Sequence, residues 1–503
     1  MRISDYRKYR ILEIIPGLIV WVTFIGAIFF SFILPIGVIY FIIIFDLYWL
    51  LRIMYMAVFM LISYFRYRKA VSIKWLPKVK ILPNWDSYYH LIILPTYKEP
   101  LEVLEGSLRS LVNSHYPQNK FIVILAGEEK DSANFSNISS VLNKKFGSVF
   151  YKFLVTLHPA NLAGEIPGKG SNSAWAGRRA KEFIDEQKIP YEKVIVSSFD
   201  SDTIVHPEYF SHLTYKYLTH PNPTHASFQP LAMFNNNIWE APPITRVISY
   251  STSFWLMTDQ SRPERLFTFS SHSMSFKALV EVDFWQNDIV TEDSRICLQC
   301  IMEYDGDYEV VPMYIPVSMD VVVGKTFWQT IKAQYIQQRR WAYGVENFPY
   351  MIWNFGRNKK ISLVKKIRYI FNQTEGVYSW ATAPILILIL GYLPIWVANF
   401  HGYSSVVAQI APFILKWIMM IGMFGLVLQA VVSMTMLPPR PPGYPAWKLI
   451  IMVLQWLFVP VTLILFGSIP ATDAQTKLML GKYLGFSVTE KMRKKLVIPD
   501  ARP

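Results

Sequence analysis

Three groups of residues in this chain have types and spacing suited to chemistry. Asp200 and Asp202 flank a single serine directly after the apolar run 193–199. Two carboxylates at i and i+2 on a strand end can share one hard divalent cation, Mg²⁺ or Mn²⁺, which prefers carboxylates together with substrate phosphate oxygens. Surface loops produce the same pair without function, so the strand end is what singles this one out. Thr291-Glu292-Asp293 is the second group. A carboxylate there can take a proton from an attacking hydroxyl. The same residues also describe a helix start, with Thr291 capping and two acids in the first turn; both readings can hold. The third is Gln337-x-x-Arg340-Trp341. A guanidinium suits diphosphate oxygens bidentately, and an indole face suits a sugar ring. The alternative is an interfacial helix, because 326–344 mixes Trp, Tyr, Lys and Arg as headgroup-level helices do. Cys297 and Cys300 form one C-x-x-C without the second pair a zinc site needs, and are expected to be packed.

These groups need a scaffold, and the central third of the chain supplies its pattern. Apolar runs at 89–97, 121–126, 149–157 and 193–200 alternate with helical stretches near 100–114, 132–146 and 171–187. Strands alternating with helices predict parallel pairing with right-handed crossovers, and ligands then bind at the carboxyl ends of the strands.

The rest of the chain is built for a bilayer. Of 503 residues, 52% are hydrophobic and only 17% charged, a low share for a soluble globular protein. Residues 14–33 carry no charge and, at about 1.5 Å per residue, cover a hydrocarbon core of roughly 30 Å. Similar runs occupy 36–64, 377–400, 417–437 and 449–470. The net charge of +14 sits beside these runs, at Arg7, Lys8, Arg10, Arg66, Arg68, Lys69 and again from Arg357 to Arg368. Flanking positive charge marks cytoplasmic membrane boundaries and argues against a nucleic-acid partner. The expected organisation is a membrane region at 1–69 with two spans, and a cytosolic α/β domain at 70–360 ending in interfacial helices. A second membrane region at 361–475 and a basic cytosolic tail at 476–503 complete it. Asp46 and Arg52 interrupt the second span, as an interhelical pair, a snorkelling arginine or a functional site.

PTYKEP at 95–100, FDSD at 199–202, VTED at 290–293 and QQRRW at 337–341 occur in the order and approximate spacing of the family 2 glycosyltransferases. The Q-x-x-R-W form resembles the membrane-embedded synthases of that family. Phe486, Val488, Thr489 and Lys491 match the F-x-V-T-x-K gating loop of the cellulose-synthase branch. The resemblance implies a GT-A (Rossmann-like) domain between transmembrane helices at the plasma membrane. It also implies inverting transfer from a nucleoside-diphosphate sugar, UDP-linked by preference, to a growing polysaccharide. Asp200 and Asp202 would then hold Mg²⁺ or Mn²⁺ and the diphosphate, and Asp293 would be the general base. Thr96, Tyr97, Glu99, Glu128, Lys169 and Arg340 would contact the nucleotide-sugar, and Glu292, Gln337, Trp341 and His272 the acceptor.

The departures are specific. Where the family has an Asp-rich turn after the second strand, this chain reads AGEEKDS at 126–132, leaving Glu128 or Glu129 as the carboxylate for base or ribose. The acceptor segment lacks its usual glycine, and His272 there either meets the acceptor or packs. A cytosolic gating loop conflicts with three full spans after a cytosolic domain. One apolar run is therefore expected not to cross, and 449–470, interrupted by Pro460, is the expected one. A single-sugar transferase acting on a lipid-linked acceptor is the rival reading, and a non-catalytic membrane scaffold the third.

Overall fold

The computed structural model describes residues 3–402 and 405–485. The motif at 486–491 lies outside the described residues. Eight strands form one mixed sheet: β1 (Tyr89–Pro95), β2 (Phe121–Glu128), β3 (Lys152–His158), β4 (Val194–Ser198), β5 (Ile204–Val205), β6 (Ala226–Phe234), β7 (Ser273–Ser275) and β8 (Glu309–Met319), in the order β3-β2-β1-β4-β7-β6-β8-β5. β3, β2, β1 and β4 pair in parallel, as the alternation of strands and helices predicts. The antiparallel insertion of β7 between β4 and β6 was not predicted. Three residues carry too little periodicity to read as a strand. β3 also starts at Lys152 rather than at 149.

Parallel strands buried on both faces read as continuous apolar runs. Side chains alternate between faces along each strand, so β1 and β2 feed two cores. Ile92, Leu94, Val123 and Leu125 join Phe199 and Phe210 on one side. Leu91, Ile93, Ile122 and Ile124 meet Ala174, Trp285 and Ile296 on the other. Cys297 and Cys300 are free thiols buried in this second core, as expected of packed cysteines.

Four described helices are long and apolar enough to cross a membrane: Asp5–Ile33, Pro35–Ser72, Val406–Thr435 and Lys448–Met479. A fifth candidate is the pair Leu363–Leu388 and Leu390–Phe400, bent by 48°. The sharp break thus falls at Ile389, not at Pro460. Pro460 is absorbed within one helical run, between a 3₁₀ turn at Gln455–Phe458 and a π turn at Leu463–Ser468. At 38 residues, about 57 Å at the α-helical rise, Pro35–Ser72 outruns a bilayer. Its far end packs on the sheet, where Met60 enters the first core and Ser63 bonds Ser261 at 2.6 Å. Trp456 and Val459 of the apolar run Lys448–Met479 enter the same core, so the sheet and the long apolar helices share one interior. Arg52 forms an interhelical ion pair with Glu375, which also holds Arg265 at 2.8 Å; Asp46 is buried apart from this pair.

Candidate active site

The acidic motifs converge at the carboxyl end of β4. Lys169 opens the Lys169–Glu186 helix. Its Nζ stands 2.7 Å from Asp200 Oδ1 and 2.8 Å from Asp293 Oδ2, bridging the two motifs. Burial alone would push this ammonium down, but the Asp200 and Asp293 carboxylates raise it above its ordinary value. The close approach depends on Gly170: a Cβ there would lie 3.0 Å from Gln286 O and 3.1 Å from Glu292 Cβ.

Asp200 and Asp202 have different surroundings. Asp200 keeps 27% of its side chain exposed, and its Oδ2 accepts a hydrogen bond from Ser270 Oγ at 2.7 Å. Asp202 is fully buried; its Oδ2 accepts from Asp320 N at 2.8 Å. Asn236 ties the same corner together by donating to Asp202 O and to Asp320 Oδ1. Among the described residues, no three His, Cys, Asp or Glu side chains group around a common cation position. The part-exposed Asp200 carboxylate is a donor of the kind Mg²⁺ or Mn²⁺ takes alongside phosphate oxygens.

Glu292 and Asp293 start the Glu292–Glu303 helix, whose dipole favours acids in its first turn. The capping expectation for Thr291 is corrected. Its side chain does not cap the helix; Oγ1 donates to Glu346 Oε1 at 2.6 Å. The same oxygen accepts from Thr291 N at 3.1 Å and from Val290 N at 3.3 Å. Arg295, also buried, bonds Asn347 Oδ1 at 2.7 Å and Glu346 O at 3.1 Å. Glu346 and Asn347 therefore tie the turn bearing Asp293 to the chain just beyond Trp341. Sequence reading missed both, because no spacing rule connects residue 346 with residue 291. Glu292 is buried, and burial with the adjacent Asp293 charge raises its carboxyl well above the usual range.

The Phe327–Ala342 helix begins with a reciprocal Thr326–Gln329 capping box. Phe327 and Trp328 are exposed at its start, while Gln334, Gln337 and Gln338 are buried further along. The two arginines part company here. Arg340 is half-buried; desolvation depresses its guanidinium, and the Asp200, Glu292 and Asp293 carboxylates oppose that shift. Arg339 instead pairs with Asp473 of the Ile469–Met479 helix at 3.0 Å. Trp341 packs on Phe234 and Phe269 at ring distances of 5.4 and 5.8 Å. Gln337 Oε1 accepts from Gln334 Nε2 at 3.2 Å. His272 is buried, its Nδ1 3.1 Å from Phe269 O and 3.7 Å from Asp293 Oδ1; burial lowers its pKa.

The other predicted nucleotide contacts sit at the ends of β1 and β2. Thr96 is buried, with its N–H on Ala126 O, and Tyr97 and Glu99 follow partly exposed. Glu128 points to His158 at 3.0 Å, while Glu129 accepts from Ala160 N at 2.7 Å.

The profile of the family described as Glycosyl transferase family group 2 matches residues 195–468, over half of the chain. The chain belongs to that family. The matched stretch of this glycosyltransferase runs from β4 through Asp200, Asp293 and Arg340 into the long apolar helical run Lys448–Met479. It leaves out β1 to β3 and Lys169. Among solved structures, the transferase is similar to the mannosyltransferase PcManGT from Pyrobaculum calidifontis in complex with GDP-Man and Mn²⁺, at 14% identity and a TM-score of 0.43, over 81% of this chain and 99% of that one. It is also similar to S. aureus TarS 1-349 in complex with UDP-GlcNAc, at 12% identity and a TM-score of 0.32, over 70% of this chain and 93% of that one. No curated protein matches it.

Proposed function

We propose that this glycosyltransferase is a multi-pass plasma-membrane enzyme of the cellulose synthase-like branch. It moves a sugar, with inversion, from a nucleoside-diphosphate sugar to a hydroxyl of a growing polysaccharide. The reading is carried by one observation: Lys169 binds Asp200 and Asp293 together at the carboxyl end of β4, with the half-buried Arg340 guanidinium interacting with the same acids.

In this mechanism Asp293 accepts the proton of the acceptor hydroxyl as it attacks the anomeric carbon. Negative charge develops on the departing diphosphate, where the Lys169 and Arg340 cations stabilise it most. Asp200, the more open acid of its pair, would hold Mg²⁺ or Mn²⁺ against the diphosphate, adding positive charge there. Asp202 braces the turn from below through Asp320 N. Thr96, Tyr97, Glu99 and Glu128 would line the nucleotide side of a donor proposed to be a UDP-sugar. Trp341, Gln337, Glu292 and His272 would contact the acceptor. The catalytic domain lies in the cytoplasm, and the arginines and lysines flanking the spans support that orientation.

The test is a screen of nucleotide-sugars for diphosphate release by the full chain in detergent, with Mg²⁺ and with Mn²⁺. Release from one donor class, and products longer than one added sugar, are expected. A product carrying a single sugar on a lipid would replace the polymer by the lipid-linked acceptor. Absence of release from every donor would overturn the reading.

A further inference from the structure

His158 closes β3, where burial leaves it 4% exposed. Both ring nitrogens face carboxylates: Nδ1 is 3.0 Å from Glu128 Oε2 and Nε2 is 2.9 Å from Glu165 Oε2. A neutral imidazole has a single N–H, so one of these contacts would set a nitrogen lone pair against a carboxylate oxygen. Only the imidazolium donates from both sides. The ring also meets Trp175 of the Lys169–Glu186 helix edge-on at 5.9 Å, and Arg179 covers the same indole at 4.7 Å. In the turn after β2, Lys130 lines the same cleft as His158, and Glu129 accepts from Ala160 N at 2.7 Å.

Glu165 belongs to the segment 159–168, which leads directly into Lys169. Its other oxygen accepts from Asn287 Nδ2 at 2.8 Å, and Ile166 N donates to Asn287 O at 2.8 Å. Ser171 Oγ bonds the Ile166 and Gly168 carbonyls at 3.0 Å. The segment is therefore fastened at two points before it delivers Lys169: His158 on one side and Asn287 on the other. Between it and the end of β2 lies a cleft lined by Glu128, Lys130, Asn161, Leu162, Glu165 and Pro167.

We propose that His158 is a cationic latch on the donor side of the site: as imidazolium it ties the end of β2 to the segment carrying Lys169, and donor binding weakens when it loses its proton. His158 is a positioning residue and touches no reacting atom. The proposal rests on Lys169 facing the donor diphosphate, as argued above. Burial alone would lower the ring's pKa, but Glu128 and Glu165 raise it above the ordinary 6.5. A raised pKa in the assembled state means that the latch is intact at and below 6.5. It is lost as pH rises through the higher value.

The experiment measures donor KM and kcat for the full chain in detergent from about pH 6 to about pH 9, the range where histidines change charge. Wild type is expected to lose donor affinity by about tenfold across that range, the size of one charge-assisted hydrogen bond, with a smaller change in kcat. His158→Gln should show the high KM at every pH, and Glu165→Gln should move the inflection to lower pH. A wild-type KM that stays flat overturns the latch, as does a His158→Gln variant with the wild-type value and inflection. Should wild type turn over no donor, that result counts against the transferase reading alone. The latch is then read from rate-corrected hydrogen exchange of residues 159–168: loss of protection with rising pH supports it, and uniform protection overturns it.

Discussion

The Nζ of Lys169 lies between Asp200 and Asp293, within 2.8 Å of an oxygen on each. One side chain thereby sets the spacing between the acid on the proposed donor side and the proposed general base. Lys169→Met keeps much of the side-chain volume and removes the cation. It is expected to lower diphosphate release by about 10²- to 10³-fold, the scale of losing one group that stabilises leaving-group charge. A loss within a few-fold would remove Lys169 from the account.

The two adjacent arginines should behave differently. Arg340 is half-buried and interacts with the acids of the site, whereas Arg339 reaches Asp473 on the last helix. Arg340→Ala is expected to cost at least about 10²-fold in kcat/KM. Arg339→Ala breaks a partly exposed ion pair worth about 1 kcal/mol and should change activity by only a few-fold. Equal losses in parallel assays would show that the separation is wrong.

Glu346 Oε1 gathers three donors from Val290 and Thr291. Its expected role is to hold Asp293 in register. Glu346→Gln keeps an accepting oxygen and should retain most of kcat, while Glu346→Ala should lower kcat by about tenfold or more with little change in donor KM. Identical kcat for both variants and wild type would contradict this role.

Gly170 tests the packing beneath the site. A methyl group there meets a backbone carbonyl at 3.0 Å and Glu292 Cβ at 3.1 Å. Gly170→Ala is expected to destabilise the protein by about 1–3 kcal/mol through overpacking, read as a lowered thermal midpoint, with a fall in kcat. An unchanged midpoint and unchanged kcat would show that the neighbours can move aside.

Much of this architecture was legible because its causes are local. The runs 89–97 and 121–126 announce buried parallel strands, and the motifs at 95–100, 199–202, 290–293 and 337–341 keep a readable order. Thr326 and Gln329 also carry a visible helix-start signal. The rest depends on contacts between distant parts of the chain. β7 is three residues long and exists only because β4 and β6 lie on either side of it. Glu346 reaches Thr291 across 55 residues, and His158 finds two acids that no motif joins to it. The bend at Ile389 occurs without a proline at the break, while Pro460, the obvious breaker, is accommodated by flanking 3₁₀ and π turns.

The most direct test of the central claim is diphosphate release by Asp293→Asn, the replacement that keeps shape and removes the base. With the donor found active for wild type, release is expected to fall by at least about 10²-fold, while donor KM stays within a few-fold. Undiminished release by Asp293→Asn would contradict the assignment of Asp293 as the group that takes the acceptor proton.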